Sequence, residues 1–408
     1  MTETGSEAVL IPAGASPDVL TCIRSLAPRG VRTIIASEHE SLPAFSSRYC
    51  NEAITVPSPH EDLLAYKDTL LSLAARSAVR TIVPSREEDA YLLSKYRTEF
   101  AEHIVPLWPT ADGIRSAQDR VRLIEAAGEA GVPVPETWLL DEVPDWNREL
   151  IVKPRYSILA SEYVDGLSPT QCEGKLDPIY LLSGSEPDRD EVRARMHENC
   201  RYDVGHVPIV QELVGNGAES NEYSFTALYD RGDAVATFQH YQRRGKTYAG
   251  GASACRESIQ DPRLEKVGRR LLDSLEWHGL VEIEFLGDEA TGEFKLMEVN
   301  PRLWASLRCG VGAGVDFPYY YWSLAGEIPL RVEAEYEIGF VSHSLLGELQ
   351  YLWSVLREDH PSVEQPAFRS AVRAVASSCY TQPHFDYLSL DDPYPFVRGV
   401  LNALPIDI

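Results

Sequence analysis

The first part of the chain alternates short apolar runs with segments of helical periodicity. Residues 8–14 form an apolar run that ends in small residues, 17–26 carry apolar side chains at helical spacing, and 31–36 form a second apolar run. Further runs follow at 54–57 and 81–85. Short apolar runs joined by a helix are typical of buried parallel strands. The pattern therefore predicts a doubly wound α/β lobe, and no G-x-G-x-x-G motif indicates a dinucleotide site within it.

The pattern changes after Trp108, where a linker is predicted. Helical periodicity covers residues 114–130, and residues 131–137 are extended because they contain two prolines. Strands are predicted at 150–155 and 208–215. The remaining predictions are a glycine-interrupted helical stretch at 307–324, a strand and an amphipathic helix within 336–356, and a last helix that starts near 391.

The most informative stretch is a predicted hairpin whose first strand contains Glu282 and Glu284. Apolar residues alternate with these two acids, six turn-forming residues follow, and a second strand ends at Asn300. Successive side chains of a strand point to opposite faces. Glu298, Asn300 and Arg302 are therefore predicted to share one face, close to a carboxylate of the first strand.

This face has the chemistry of a phosphate and metal site. Carboxylate and amide oxygens are the ligands that Mg²⁺ prefers, and an adjacent arginine suits a phosphoryl or acyl-phosphate oxygen. Pro301 prevents further ladder pairing, so the polar residues lie at a strand end. The alternative is an ordinary amphipathic hairpin with a solvated acidic face.

The motif Glu-Val-Asn-Pro-Arg at 298–302, with Glu284 fourteen positions before Glu298, resembles the metal-binding signature of the ATP-grasp superfamily. Its closest resemblance is to the carbamoyl-phosphate-synthase-like carboxylate–amine ligases. The resemblance implies an α/β fold with α+β lobes, in which a Rossmann-like pre-ATP-grasp lobe precedes the ATP-grasp domain. The implied domains are 1–110 for the first lobe, 111–330 for the ATP-grasp domain (small lobe about 135–211, large lobe about 212–330) and 331–408 for a C-terminal cap.

The resemblance also implies roles for individual residues. Mg²⁺ or Mn²⁺ would be held by Glu284, Glu298 and Asn300, and the catalytic residues would be Arg302 and Lys153. The residues implied to bind ATP are Arg120, Lys153, Gln211, Glu212, Val214 and Glu222. Arg120 stands where the family usually has a lysine, and Glu222 is preferred over Glu219 for the ribose hydroxyls. One departure from the family is the segment 156–161, which lacks the glycines of the usual phosphate loop.

The segment 239–256 is the most basic part of an acidic chain. Arg243, Arg244 and Ser253 are predicted to bind a substrate anion, with nearby glycines that let backbone amides approach it. The alternative is an exposed hairpin tip whose charges balance locally. The acids at 87–89 also have two possible interpretations. They could face the substrate, or they could cap the N-terminus of a helix.

Composition excludes several classes of function. The chain of 408 residues has 62 acidic and 38 basic residues, a formal net charge of −24, which disfavours nucleic-acid binding and suggests a halophile's protein. No apolar run is long enough to span a membrane, and no signal peptide is recognised, so a cytoplasmic protein is expected. The seven cysteines are scattered without a C-x-x-C motif, so neither a disulfide framework nor a zinc site is expected.

Together these observations predict an ATP-dependent carboxylate–amine ligase with Mg²⁺ and ATP. A substrate carboxylate would be activated as an acyl phosphate, and an amine would then displace phosphate. The alternatives are a bicarbonate-activating carboxylase or carbamoyl-type enzyme, and a degenerate nucleotide-binding protein. The partners are a small-molecule carboxylate and amine, whose identities the sequence leaves open. A homodimer is one option for the oligomeric state.

Overall fold

The N-terminal lobe is a parallel sheet flanked by helices. The computed structural model describes residues 7–174, 176–181, 186–202, 204–214, 222–288, 291–332, 335–359 and 363–403. The first sheet has the strand order β3-β2-β1-β4, and its β1 is buried along its whole length. This agrees with the doubly wound lobe predicted from the apolar runs. Its elements are β1 Ala8–Pro12, α1 Asp18–Leu26, β2 Arg32–Ser37, β3 Glu52–Thr55, α2 Leu63–Ala74, β4 Val79–Ile82, α3 Glu87–Lys95 and α4 Arg97–Ala101.

Two helices, and not the single helix predicted at 114–130, connect this lobe to the next. Helix α5 covers Ala111–Gln118 and α6 covers Arg120–Glu129. Asp119 between them has an extended backbone, and its carboxylate accepts a hydrogen bond from the Val121 amide at 3.1 Å. The prediction of one helix was wrong because a capping aspartate starts a new helix at this point.

A small antiparallel sheet follows, with the strand order β5-β10-β6-β9. Buried side chains of β6 and β10 form a separate core with residues of α7. The elements of this part are β5 Thr137–Leu139, β6 Leu150–Lys153, β7 Leu159–Ala160, β8 Cys172–Glu173, β9 Ile179–Leu181, α7 Arg189–His197 and β10 Ile209–Glu212.

The largest sheet has six antiparallel strands in the order β15-β14-β11-β12-β13-β16. One face is apolar: Phe225, Ile283 and Val299 are fully buried in a core shared with α6 and α8. The opposite face carries the polar residues of these strands, which is the alternation predicted for 280–300. The elements are β11 Glu222–Asp230, β12 Asp233–Thr247, β13 Gly250–Ile259, α8 Pro262–Ser274, β14 Gly279–Asp288 and β15 Glu293–Asn300.

The C-terminal part adds helices and one edge strand to this sheet. The helical stretch predicted at 307–324 is divided at Gly314, whose φ of 110° ends the first helix in a left-handed cap. Strand β16 pairs with β13, and α12 was not predicted. No helix among the described residues is long and apolar enough to cross a membrane. The elements are α9 Leu307–Ala313, α10 Phe317–Ala325, β16 Val341–His343, α11 Leu345–Arg357, α12 Phe368–Thr381 and α13 Tyr394–Ala403.

Candidate active site

The polar face of β14 and β15 brings together the acids of the predicted metal site. Glu284 lies directly opposite Glu298, and Glu282 lies opposite Asn300. The Asn300 side-chain amide donates to Glu284 Oε1 at 2.8 Å and is 3.4 Å from Glu282 Oε2. Glu282, Glu298 and Asn300 are buried. A β-bulge between Glu284 and Phe285 shifts the register of the hairpin immediately beyond the site.

Arg302 joins this face to the N-terminal lobe. Its Nη2 donates to Asn300 Oδ1 at 3.1 Å, and its Nε donates to Glu87 Oε1 at 2.8 Å. Glu87 begins α3 and is buried, and burial raises the pKa of its carboxyl group although Arg302 partly offsets this. The acid at 87 therefore does more than cap a helix, because it fixes the orientation of the signature arginine.

Arg120 lies on the other side of the acidic face. It is buried at the first position of α6, where Nη1 donates to the Pro154 carbonyl at 2.7 Å and Nη2 donates to Glu298 Oε1 at 3.1 Å. The guanidinium thus contacts a carboxylate of the predicted metal site. This contact supplies a positive charge beside Glu298 in a region with little water to screen it.

Lys153 ends β6 and faces the site from the small sheet. Its ammonium donates to Gln211 Oε1 at 2.9 Å, and the Gln211 amide donates to Thr137 Oγ1 at 3.0 Å. Glu222, at the start of β11, is close enough for Lys153 to influence it electrostatically. Burial nevertheless raises the pKa of Glu222 to about 7. The side-chain hydrogen bond between Glu222 and Gln242 lowers this pKa, but it offsets only part of the effect of burial.

The hinge residues occupy the end of β10 and the turn after it. Glu212 accepts a hydrogen bond from the Lys295 ammonium of β15 at 2.7 Å, which connects the small sheet to the large one. Val214 is the last residue described before the gap at 215–221 and is partly buried. Glu219, the alternative ribose ligand, lies outside the described residues.

The basic residues predicted to form one cluster at 243–253 pair with acids of different elements. Arg243 forms an ion pair with Glu257 at 3.1 Å, and both oxygens of Glu348 accept hydrogen bonds from Arg244, at 2.8 Å and 2.6 Å. The Ser253 hydroxyl is 3.4 Å from the Cys255 carbonyl. Arg243 and Arg244 are thus each paired with a different acid. Binding of a substrate anion by either arginine would require one of these ion pairs to open.

Three further residues of the site were not singled out from the sequence. Glu282 Oε1 is 3.3 Å from the Ser306 hydroxyl, which in turn lies 2.6 Å from His240 Nε2. Burial lowers the pKa of His240, so the imidazole is held neutral. Glu282 shares the alternation of Glu284 and could have been found from it. His240 and Ser306 approach it only through the fold.

The donor atoms of the site fit a magnesium ion. The charged groups that contact one another or Asn300 are four carboxylates and two guanidiniums, namely Glu87, Glu282, Glu284, Glu298, Arg120 and Arg302. These groups carry a net negative charge, and the donors on the sheet face include carboxylate oxygens. A hard divalent cation matches both the charge and the ligand type. The predicted metal ligands Glu284, Glu298 and Asn300 lie on this face.

Comparisons with known proteins agree with this architecture. No protein-family model matches the chain. Acetyl-CoA carboxylase 2 of Oryza sativa subsp. japonica is 28% identical over 221 residues, which are 50% of this chain and only 9% of that much longer protein.

Solved structures cover more of the chain. Biotin carboxylase from Campylobacter jejuni, in a complex with ATP, has a TM-score of 0.59 at 15% identity and covers 83% of this chain and 74% of its own. An ADP complex of N5-carboxyaminoimidazole ribonucleotide synthetase has a TM-score of 0.59 at 14% identity. The match covers 94% of this chain and 100% of the synthetase chain. L-amino acid ligase from Bacillus licheniformis has a TM-score of 0.55 at 13% identity. The match covers 79% of this chain and 75% of the ligase chain. The predicted α/β fold is thereby confirmed, and these three structures share it.

Proposed function

We propose that this protein is an ATP-dependent carboxylate–amine ligase that forms ADP, phosphate and a C–N bond. The observation that carries the proposal is the polar face of β14 and β15, where Glu284, Glu298 and Asn300 adjoin an oriented Arg302. The ATP-grasp fold supports it, because the same face is where a nucleotide's phosphates would meet a metal ion. The likeness to an L-amino acid ligase favours an amine as the second substrate.

The nucleotide would bind between the small and large sheets. Lys153 would contact the phosphates, Glu222 would bind the ribose hydroxyls, and main-chain groups of Gln211–Val214 would contact the adenine. Mg²⁺ bound by Glu284, Glu298 and Asn300 would supply positive charge to the terminal phosphates. Lys153 already carries a hydrogen-bond partner in Gln211, so the ammonium is oriented before the nucleotide binds.

The protein's own groups then act mainly by position and charge. An oxygen of the substrate carboxylate attacks the γ-phosphorus, the bond to the β-phosphate oxygen breaks, and ADP leaves with that electron pair. Arg302, oriented by Glu87 and Asn300, would stabilise the negative charge that develops on the transferring group. The amine nitrogen then attacks the carbonyl carbon of the acyl phosphate. Phosphate leaves, and the nitrogen loses a proton.

The second candidate activates bicarbonate instead of an organic acid. It is favoured by the similarity to biotin carboxylase and to N5-carboxyaminoimidazole ribonucleotide synthetase, which share the fold. Both candidates use the same Mg²⁺ and phosphate residues. They differ in the acid that receives the phosphoryl group, so trapping the activated acid separates them.

Hydroxylamine trapping tests the proposal. The protein is incubated with ATP, Mg²⁺, hydroxylamine and pooled metabolite carboxylates, and the products are searched by mass for a hydroxamate. We expect an ATP-dependent hydroxamate that Glu298→Ala abolishes while the fold, measured by circular dichroism, stays intact. The matched control is Glu293→Ala, an exposed acid at the start of the same strand, which should keep the activity.

Other outcomes of the same experiment are equally informative. ADP release that requires bicarbonate, without any hydroxamate, would replace the ligase by the bicarbonate-activating enzyme. Full activity of Glu298→Ala would refute the metal assignment. ATP binding without ADP release under all these conditions would favour the degenerate nucleotide-binding protein.

A further inference from the structure

Three metal-ligating side chains of different kinds meet where the C-terminal segment joins the large sheet. Cys255 is on β13, His343 is on β16, and Glu348 is in the first turn of α11. All three are buried, and one ligand atom from each lies within 4.8 Å of the others. In the strand order, β13 is three positions from β14, so this cluster is separate from the site around Glu284.

The local fold is built to bring these three side chains together. Cys255 and His343 are direct partners in the register of β13 and β16. Helix α11 begins immediately after β16, with the Ser344 hydroxyl accepting from the Gly347 amide at 3.3 Å. A Cβ at Gly347 would lie 3.0 Å from the Cβ of Ala254, so the glycine allows α11 to approach β13 closely. This approach places Glu348 beside the Cys255–His343 pair.

Hydrogen bonds within and around the cluster hold these side chains in place. His343 Nδ1 lies 2.8 Å from Glu348 Oε1, and its other nitrogen, Nε2, lies 3.5 Å from the Ser378 hydroxyl. The Arg244 guanidinium donates to both oxygens of Glu348. Partners of this kind fix the ring orientation of a ligating histidine and the position of a ligating carboxylate.

The ligand types indicate which ion the cluster suits. The Cys255 thiolate and the Glu348 carboxylate would supply two negative charges to a divalent cation. Mixed sulfur, nitrogen and carboxylate ligands in a buried position suit Zn²⁺ better than Mg²⁺.

We propose that Cys255, His343 and Glu348 bind a zinc ion that attaches α11 to the large sheet. The ligands come from three elements spread over residues 255–348, without the C-x-x-C spacing that reveals many zinc sites in a sequence. The absence of that spacing is why the sequence alone argued against zinc. The proposal does not depend on which substrate the enzyme uses.

Zinc content and cobalt spectra test the proposal on the full chain. Protein from zinc-supplemented cultures is desalted in buffer with excess Mg²⁺, and its zinc is measured by mass spectrometry. We expect about one equivalent in the wild type and, in Cys255→Ser, a loss of affinity of about tenfold or more. The matched control is Cys22→Ser, a buried cysteine in the N-terminal lobe, which should keep its zinc.

Cobalt substitution covers the case in which a ligand variant does not fold. Co²⁺ added to metal-free wild-type protein should produce a thiolate-to-cobalt charge-transfer band and the visible bands of a tetrahedral ion. Wild-type protein with neither zinc nor such a band would overturn the proposal, and the cluster would then be an ion-pair network of Arg244, Glu348 and His343. Equal loss of zinc in Cys22→Ser would overturn the ligand assignment.

Discussion

At the scale of single residues, the site depends on acids that hold other charged groups in place. Glu87 contacts Arg302, and Glu298 contacts Arg120, so each arginine is oriented by a carboxylate before any substrate arrives. Such preorganisation reduces the reorganisation needed when charge develops on a phosphoryl group. Glu87 comes from a different lobe than Arg302, so the N-terminal lobe contributes to the chemistry through position.

Glu87→Gln tests this positioning role. The amide can still contact Arg302, but it removes the negative charge that orients the guanidinium. We expect kcat for ADP formation to fall by about tenfold or more, with little change in KM for ATP, because Arg302 would act on the transferring group. Glu88→Gln is the matched control, since the Glu88 carboxylate lies 3.3 Å from His60 Nε2 and belongs to a different ion pair. A change confined to KM for ATP would contradict the assignment.

Glu222 gives a prediction about pH. Its pKa in the folded protein is about 7, above the ordinary value of 4.5, because the carboxyl group is buried. Folding therefore favours the protonated form, and stability is lost as pH rises from about 4.5 through about 7. The loss is on the order of 3 kcal/mol when complete.

Glu222→Gln should remove this pH dependence. The free energy of unfolding of the variant, relative to wild type, should rise between pH 4.5 and pH 8, as measured by denaturant titration at each pH. Glu293→Gln, an exposed acid of the same sheet, serves as the control and should show no such trend. A difference between Glu222→Gln and wild type that stays constant with pH would refute the raised pKa.

At the scale of elements, the sequence predicted the features that depend only on residues within one strand or helix. The alternation that contains Glu282 and Glu284 indicated both the hairpin and its polar face, because each strand is patterned by its own residues. The same local pattern missed the break at Asp119, where one capping side chain starts a new helix. Strand β16 was placed only loosely, because a three-residue strand is defined by its partner β13 and not by its own sequence.

Charge pairing was predicted less well than strand pairing. Arg243 and Arg244 are adjacent in sequence, which suggested one anion site. In the fold each arginine meets a different acid, and Glu348, the partner of Arg244, is more than a hundred positions away along the chain. Contacts of this kind depend on how elements pack, which no local pattern reports.

Gly279 provides an element-scale prediction at the start of β14. Its φ is 101°, and a Cβ there would overlap the Leu107 carbonyl oxygen and lie 3.0 Å from the Trp108 Cα. Neither backbone group can move as a flexible side chain would. Gly279→Ala should lower the free energy of unfolding by roughly 2–4 kcal/mol in denaturant titrations.

Gly292 is the matched control for Gly279. It also has a positive φ, 70°, but a Cβ there would meet nothing within 4 Å. Gly292→Ala should therefore cost only the backbone strain, about 1 kcal/mol. Equal losses in the two variants would show that the approach of residues 107–108 to β14 is unimportant for stability.

At the scale of the whole molecule, the formal charge of −24 dominates the electrostatics. The ion pairs neutralise many arginines, yet 62 acids against 38 basic residues leave a large negative excess. Like charges of this number repel one another and oppose the compact state. A halophilic origin, a cytoplasmic location and a homodimer remain predictions.

Salt should therefore stabilise the folded protein. Raising KCl from about 0.1 M to about 1 M shortens the Debye length from about 10 Å to about 3 Å, which screens repulsion between surface carboxylates. We expect the Tm measured by calorimetry to rise by several degrees over this range. Sorbitol at matched osmolality is the control, because it favours compact states without screening charge. A Tm gain in sorbitol equal to that in KCl would attribute the effect to solvent exclusion. A gain specific to KCl would show that self-repulsion limits the stability of this acidic protein.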